Sequence, residues 1–173
     1  MRPFYSCLLL LLAVACSGMN VEQFDNTEPR LVIEEYFKGS TRGWGVVHDR
    51  FGNLTRQFTV DLQGEWDGKQ LVLHEDFRYS DGKTEQRTWY IDKVDDHTYE
   101  GRAADVVGVA RGRQFGQALN WNYVLNLPIG DSTWKIRFDD WMYLQPDNVL
   151  INRASMSKVG LNVGEVLISF RKY

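Results

Sequence analysis

The segment FDDWMYL, residues 138–144, sets two adjacent aspartates among Phe138, Trp141, Met142 and Tyr143. Carboxylates in such a setting could transfer protons, pair with a buried cation or hold a ligand. Adjacent residues of a strand point to opposite faces, so Asp139 and Asp140 cannot share one substrate, and a paired-carboxylate hydrolytic centre has no support. Alternation groups Trp134, Ile136, Phe138, Asp140, Met142 and Leu144 on one face, with Lys135, Arg137, Asp139, Trp141 and Tyr143 on the other. Asp139 is therefore expected in water and Asp140 among apolar side chains. A bare buried carboxylate is costly and needs a cation, hydrogen bonds or a proton. Arg153, in the INRAS stretch of the next strand, is the expected partner of Asp140 across the hairpin.

Two readings of that pair stay open. In one, Arg153 receives a ligand carboxylate bidentately, Asp140 holds the guanidinium, and Trp121, Tyr123 and Phe138 line the pocket. In the other, the pair is a structural ion pair and the aromatic side chains are core. Other chemistry finds little to stand on. His48, His74 and His97 have no metal-ligand spacing, so no metal is expected. Ser155 and Ser157 sit in no nucleophile elbow, and no catalytic residue is assigned. The glycines of GVARGRQFG (108–116) form no phosphate-cradling pattern and read as bends or close packing in a wall, so no cofactor is implied. Twenty Lys and Arg stand against 23 Asp and Glu, a net charge of −3, and the basic residues are scattered. Nucleic-acid binding needs a concentrated basic face and is not expected.

The elements that would position these residues begin with an export signal. One Arg, the apolar run CLLLLLAVA and then Cys16-Ser17-Gly18 make residues 1–15 a lipoprotein-type signal peptide, with Cys16 as the lipidation site. The apolar run is too short to span a bilayer as a helix. With Cys7 removed and Cys16 acylated, no disulfide framework is available. By resemblance to lipoprotein sorting, Ser17 implies the outer membrane, with the protein lipid-anchored and facing the periplasm. Residues 16–27 are expected to be a polar tether. EPRLVIEEYF (28–37) spaces Ile33, Tyr36 and Phe37 as a short helix, with Thr27 as cap and Gly39 as stop. From residue 40 onward the period is two. Phe58, Val60, Leu62 and Trp66 share a face, as do Leu71, Leu73, Phe77 and Tyr79, and likewise Trp121, Tyr123, Leu125 and Leu127. Nine or ten strands joined by short turns predict an all-β domain over residues 28–173. Its expected architecture is a single antiparallel up-and-down β-barrel, lipocalin- or calycin-like, with one short N-terminal helix.

FDDWMYL, NRASMSKVGLNVGEV, FTVDLQGEW, DVVGVARG and LNWNY together resemble an uncharacterised proteobacterial lipoprotein family, domain-of-unknown-function family 3833, from about Val32 onward. The resemblance implies an envelope protein with a link to membrane lipid and carries over no functional residue. The expectation is an outer-membrane-anchored barrel that binds or carries a lipid or fatty acid. The alternative is an interaction module that docks an envelope protein partner through Trp141 and Tyr143.

Overall fold

In the computed structural model the described residues are 18–173, so the expected signal segment (1–15) and Cys16 lie outside them. A 3-10 turn, Val21–Phe24, and a five-residue helix α1, Ile33–Phe37, precede ten strands. These are β1 Gly39–Asp49, β2 Leu54–Trp66, β3 Gln70–Tyr79, β4 Thr84–Lys93, β5 Thr98–Arg102, β6 Ala110–Phe115, β7 Ala118–Ile129, β8 Ser132–Gln145, β9 Val149–Lys158 and β10 Leu161–Lys172. Each strand pairs antiparallel with its neighbour in sequence, and β1 pairs with β10 to close the barrel. The fold is all-β and lipocalin-like, as the alternation predicts. Closure pairs every strand on both sides over at least part of its length.

The turns explain why the chain reverses where it does. Asp67 Oδ1 accepts from the backbone N–H groups of Lys69 and Gln70, both at 2.8 Å, while Gly68 takes the left-handed conformation. Asp49 Oδ1 does the same for Phe51 and Asn53, both at 2.9 Å. Short polar side chains that capture backbone donors are the usual currency of tight turns.

Between the turns, the inward row carries the core, including Val60, Leu62, Leu71, Leu73, Trp89 and Leu150, all buried. Each such side chain contributes roughly 1.5–3 kcal/mol by leaving water. The outward row is laced with charge. Asp61 pairs with Arg42 and Arg78, Arg102 with Asp92, and Arg153 with Glu165. A wall of this kind faces water, since lipid-facing barrel strands carry apolar side chains instead.

The barrel has two unlike ends. At one end α1 lies across the opening and buries Ile33, Glu34, Tyr36 and Phe37. Its C-terminal carbonyls accept from Lys172 Nζ, at 3.0 Å for Tyr36 O and 2.9 Å for Lys38 O. The Tyr36 hydroxyl donates to Asn148 O at 3.0 Å. Gly64 of β2 allows this seal, because a Cβ there would stand 1.9 Å from Phe37 O. Among the described residues, none plugs the other end, formed by the β1–β2, β3–β4, β7–β8 and β9–β10 hairpins, in this way.

The helix is shorter than the 28–37 pattern predicts. Thr27 does not cap it: its hydroxyl donates to Phe24 O at 2.7 Å and accepts from Gln117 N at 3.0 Å. The segment expected as a tether is also corrected over its described part. Val21 is buried, Phe24 packs on Trp141 and Tyr143 with ring centroids 6.3 and 5.6 Å apart, and Arg113 pairs with Glu22. Two apolar residues inside a polar stretch are enough to lay it down on the wall.

Strands β5 and β6 are short, which breaks the regularity of the wall. Only Tyr90–Lys93 of β4 pair with β5, so Thr84–Trp89 have no strand on that side. Residues 103–109 occupy the space and bond instead to β7. Val107 N donates to Val124 O at 2.8 Å, and Asn126 N donates to Asp105 O at 2.9 Å. That detour brings Asp105 to the inner side of β4.

Candidate functional site

The inward rows enclose a cavity of about 710 Å³ that reaches the unplugged end. Small-molecule sites run to roughly 300–1,000 Å³. Ten strands make a wider barrel than the eight whose interior side chains just fill. Most of the wall is apolar, from Phe58, Leu73, Phe77, Leu125, Val166 and Ile168 among others.

Trp121, Tyr123 and Phe138 are all on this wall, where the alternation places them. Tyr123 stacks on Phe138 with centroids 5.1 Å apart and meets Trp89 edge-on at 5.4 Å. Trp89 in turn meets Trp121 edge-on at 5.9 Å. Trp121 lies flat against the wall because β5 and β6 present glycines to it. A Cβ on Gly112 would stand 2.1 Å from its ring, and one on Gly101 2.5 Å.

Asp140 points inward, 5% exposed, as its parity in β8 requires. Its Oδ2 accepts from the Tyr123 hydroxyl at 3.0 Å, whereas its buried Oδ1 has no hydrogen-bond partner among the described residues. Burial pushes the carboxyl up to about 7 against the Tyr123 hydrogen bond, and the Asp139 charge adds to the rise. The Tyr123 hydroxyl is driven well above its ordinary value by burial and by Asp140. Asp139 faces out and accepts from Asn120 Nδ2 at 2.6 Å.

The expected Asp140–Arg153 pair does not form. In the β8–β9 register Asp140 stands opposite Ala154 and Trp141 opposite Arg153. Opposed residues share a face, so Arg153 belongs to the outer row, where its Nε donates to Glu165 at 2.9 Å. A one-residue offset in register carries a whole row to the other side of the sheet.

Another guanidinium takes the inner place. Arg87 of β4 donates through Nε and Nη2 to Asp105 Oδ2, at 3.1 and 2.7 Å. Its Nη1 is 3.9 Å from Glu75 Oε2 and its Nη2 is 3.7 Å from Glu85 Oε1. Glu75 Oε2 and Asp105 Oδ1 are buried without hydrogen-bond partners. Burial pushes Glu75 up to about 7, with Arg87 opposing and Asp105 adding to the rise. Glu75 and Arg87 were legible by parity, since Glu75 alternates with Leu73 and Phe77, and Arg87 with Trp89 and Ile91. Asp105 carries no periodic signal at all.

Chemically, this is an apolar chamber with one polar wall rich in hydrogen-bond acceptors. Ser155 and Ser157 alternate with the inward residues Ala154 and Met156 and so take the outer row. His97 stacks on Phe115 at 4.1 Å, and His74 bonds Thr88 at 3.0 Å. Among the described residues no group of three or more His, Cys, Asp or Glu is placed to hold a metal ion. Trp141 and Tyr143, the pair that docking would use, are half-buried with Phe24 packed on them.

No curated protein matches the chain. A family model described as protein of unknown function, DUF3833, matches residues 10–172, a span that takes in every strand. The match covers nearly the whole chain, and the chain belongs to the DUF3833 family.

Proposed function

We propose that the barrel binds or carries a lipid-like amphiphile at the bacterial outer membrane, tethered through acylated Cys16 on the periplasmic side. The observation that carries the reading is the cavity: about 710 Å³, walled mostly by apolar side chains and unplugged at one end. A chamber of that size with an apolar lining gains free energy by exchanging water for hydrocarbon, roughly 0.8 kcal/mol per methylene buried. The plugged opposite end and the glycine-backed Trp121 give it a defined depth. The lipid anchor rests on the sequence argument, in which two or more acyl chains are needed for stable attachment.

Native mass spectrometry of the full chain, released gently from envelope membranes, tests the reading. A bound species of lipid mass that is lost on denaturation is expected. Ala154→Leu, which adds bulk opposite Asp140, should lower occupancy about tenfold while the fold persists. A clean apo mass after incubation with envelope lipid extract would refute carriage. Cys16→Ser should move the protein from the membrane fraction to the soluble fraction.

A further inference from the structure

An amphiphile needs somewhere for its polar head, and the groups facing this cavity restrict what that head can be. Four carboxylates face it, Glu75, Glu85, Asp105 and Asp140, against two guanidinium groups, Arg56 and Arg87. Arg87 is already committed, with two of its donors on Asp105 and Glu75 and Glu85 within 4 Å. Arg56 lies out at the mouth, over the Tyr79 ring at 4.6 Å. A carboxylate or phosphate head placed deep in the chamber would meet mainly carboxylate acceptors and a guanidinium whose charge those carboxylates already offset, so its desolvation would be poorly compensated.

The opposite chemistry is missing its partner. Asp140 Oδ1 and Glu75 Oε2 are buried acceptors with no hydrogen bond among the described residues, the second with Arg87 Nη1 3.9 Å away, and both side chains line the cavity beside Tyr123 and Arg87. Buried polar atoms are almost always satisfied, and an orphan acceptor on a side chain that lines a cavity is a place for a ligand donor once that side chain turns toward it. We propose, building on the lipid-binding reading above, that the cavity selects an amphiphile with a cationic, hydrogen-bond-donating head, an ammonium seated on Asp140 with Glu75 beside it. Tyr123 orients Asp140 by holding Oδ2, which leaves Oδ1 without a donor and able to accept from the incoming head. The fatty-acid carboxylate expected from an inward Arg153 is disfavoured by the same geometry. Burial holds both carboxyls near 7, and a cation in the site would draw them down into the ionised form.

The test is competition among three twelve-carbon probes, dodecylammonium, dodecanol and dodecanoate, offered together below micellar concentration to the full chain at pH 8. Occupancy is read by native mass spectrometry. Dodecylammonium should exceed dodecanoate by about tenfold, the worth of one charge-assisted hydrogen bond. Asp140→Asn keeps the shape and the Tyr123 contact, and it should erase most of that preference, with dodecylammonium occupancy falling toward that of dodecanol. Glu75→Gln should erase a smaller part. Dodecanoate binding as well as or better than dodecylammonium would overturn the head-group assignment and leave lipid carriage standing. Failure of all three probes to bind would overturn both.

Discussion

Glu34 at the plugged end and Asp140 in the cavity are buried alike, 4% and 5% exposed, and each accepts from a tyrosine hydroxyl. Glu34 also takes Lys93 Nζ at 2.7 Å, with Tyr99 at 2.8 Å on its other oxygen. Burial raises its pKa, yet the Lys93 and Tyr99 hydrogen bonds outweigh that and hold it below the ordinary value. Asp140 has the tyrosine and no cation in contact, and it is pushed up to about 7. One carboxylate is finished by the protein, and the other keeps an oxygen without a donor on a side chain that lines the cavity. Satisfied buried charge reads as structure, and unsatisfied buried charge at a cavity reads as a site.

The comparison breaks most sharply at Glu34. Glu34→Ala should cost about 3 kcal/mol in urea denaturation, because it strands Lys93 and Tyr99 at the seal between α1 and β4–β5. The same variant should leave probe occupancy of the cavity unchanged. Loss of binding without loss of stability would reverse the roles given to the two carboxylates.

A pH titration of stability sharpens it next, because the two sites have opposite signs. Glu34 is depressed when folded, so its contribution is present above its ordinary pKa of 4.5 and fades as pH falls. Asp140 and Glu75 are raised to about 7 from 3.8 and 4.5, so the folded chain holds protons there that the unfolded chain releases. Their contribution is full below those ordinary values and is lost as pH rises through about 7. Between pH 8 and pH 5.5 the apo chain should gain stability on the order of 4 kcal/mol, about 2 kcal/mol from each group, and Asp140→Asn should remove about half of that gain. A flat profile in the wild type would contradict the buried setting of both groups.

The smallest effect belongs to Arg153. Its side chain is 64% exposed in its pair with Glu165, so Arg153→Ala should change stability by no more than about 0.5 kcal/mol. Cavity binding should be unaffected, and a binding loss would restore Arg153 to the interior.

Much of the barrel is written in a period of two. Alternation around Asp140 and along the rows of Phe58, Leu71 and Trp121 says which side chains face in, because a strand has only two faces. The turn residues say where the strands end, because Asp and Gly meet local backbone demands that need no distant partner. Helix spacing around Ile33, Tyr36 and Phe37 likewise located α1, although not its length.

Pairing across strands is another matter. Asp140 found Ala154 rather than Arg153 opposite it because register depends on how the β8–β9 turn closes, and a one-residue shift inverts the outcome. Arg87 met Asp105 because β5 and β6 stop short and residues 103–109 fill the space left, a consequence of wall geometry with no local pattern behind it. The sequence by itself determined the turns, the family and most of the faces, Arg153 excepted. Only the tertiary structure decided which buried charges meet and which are left open, because that depends on distances between strands far apart in the chain.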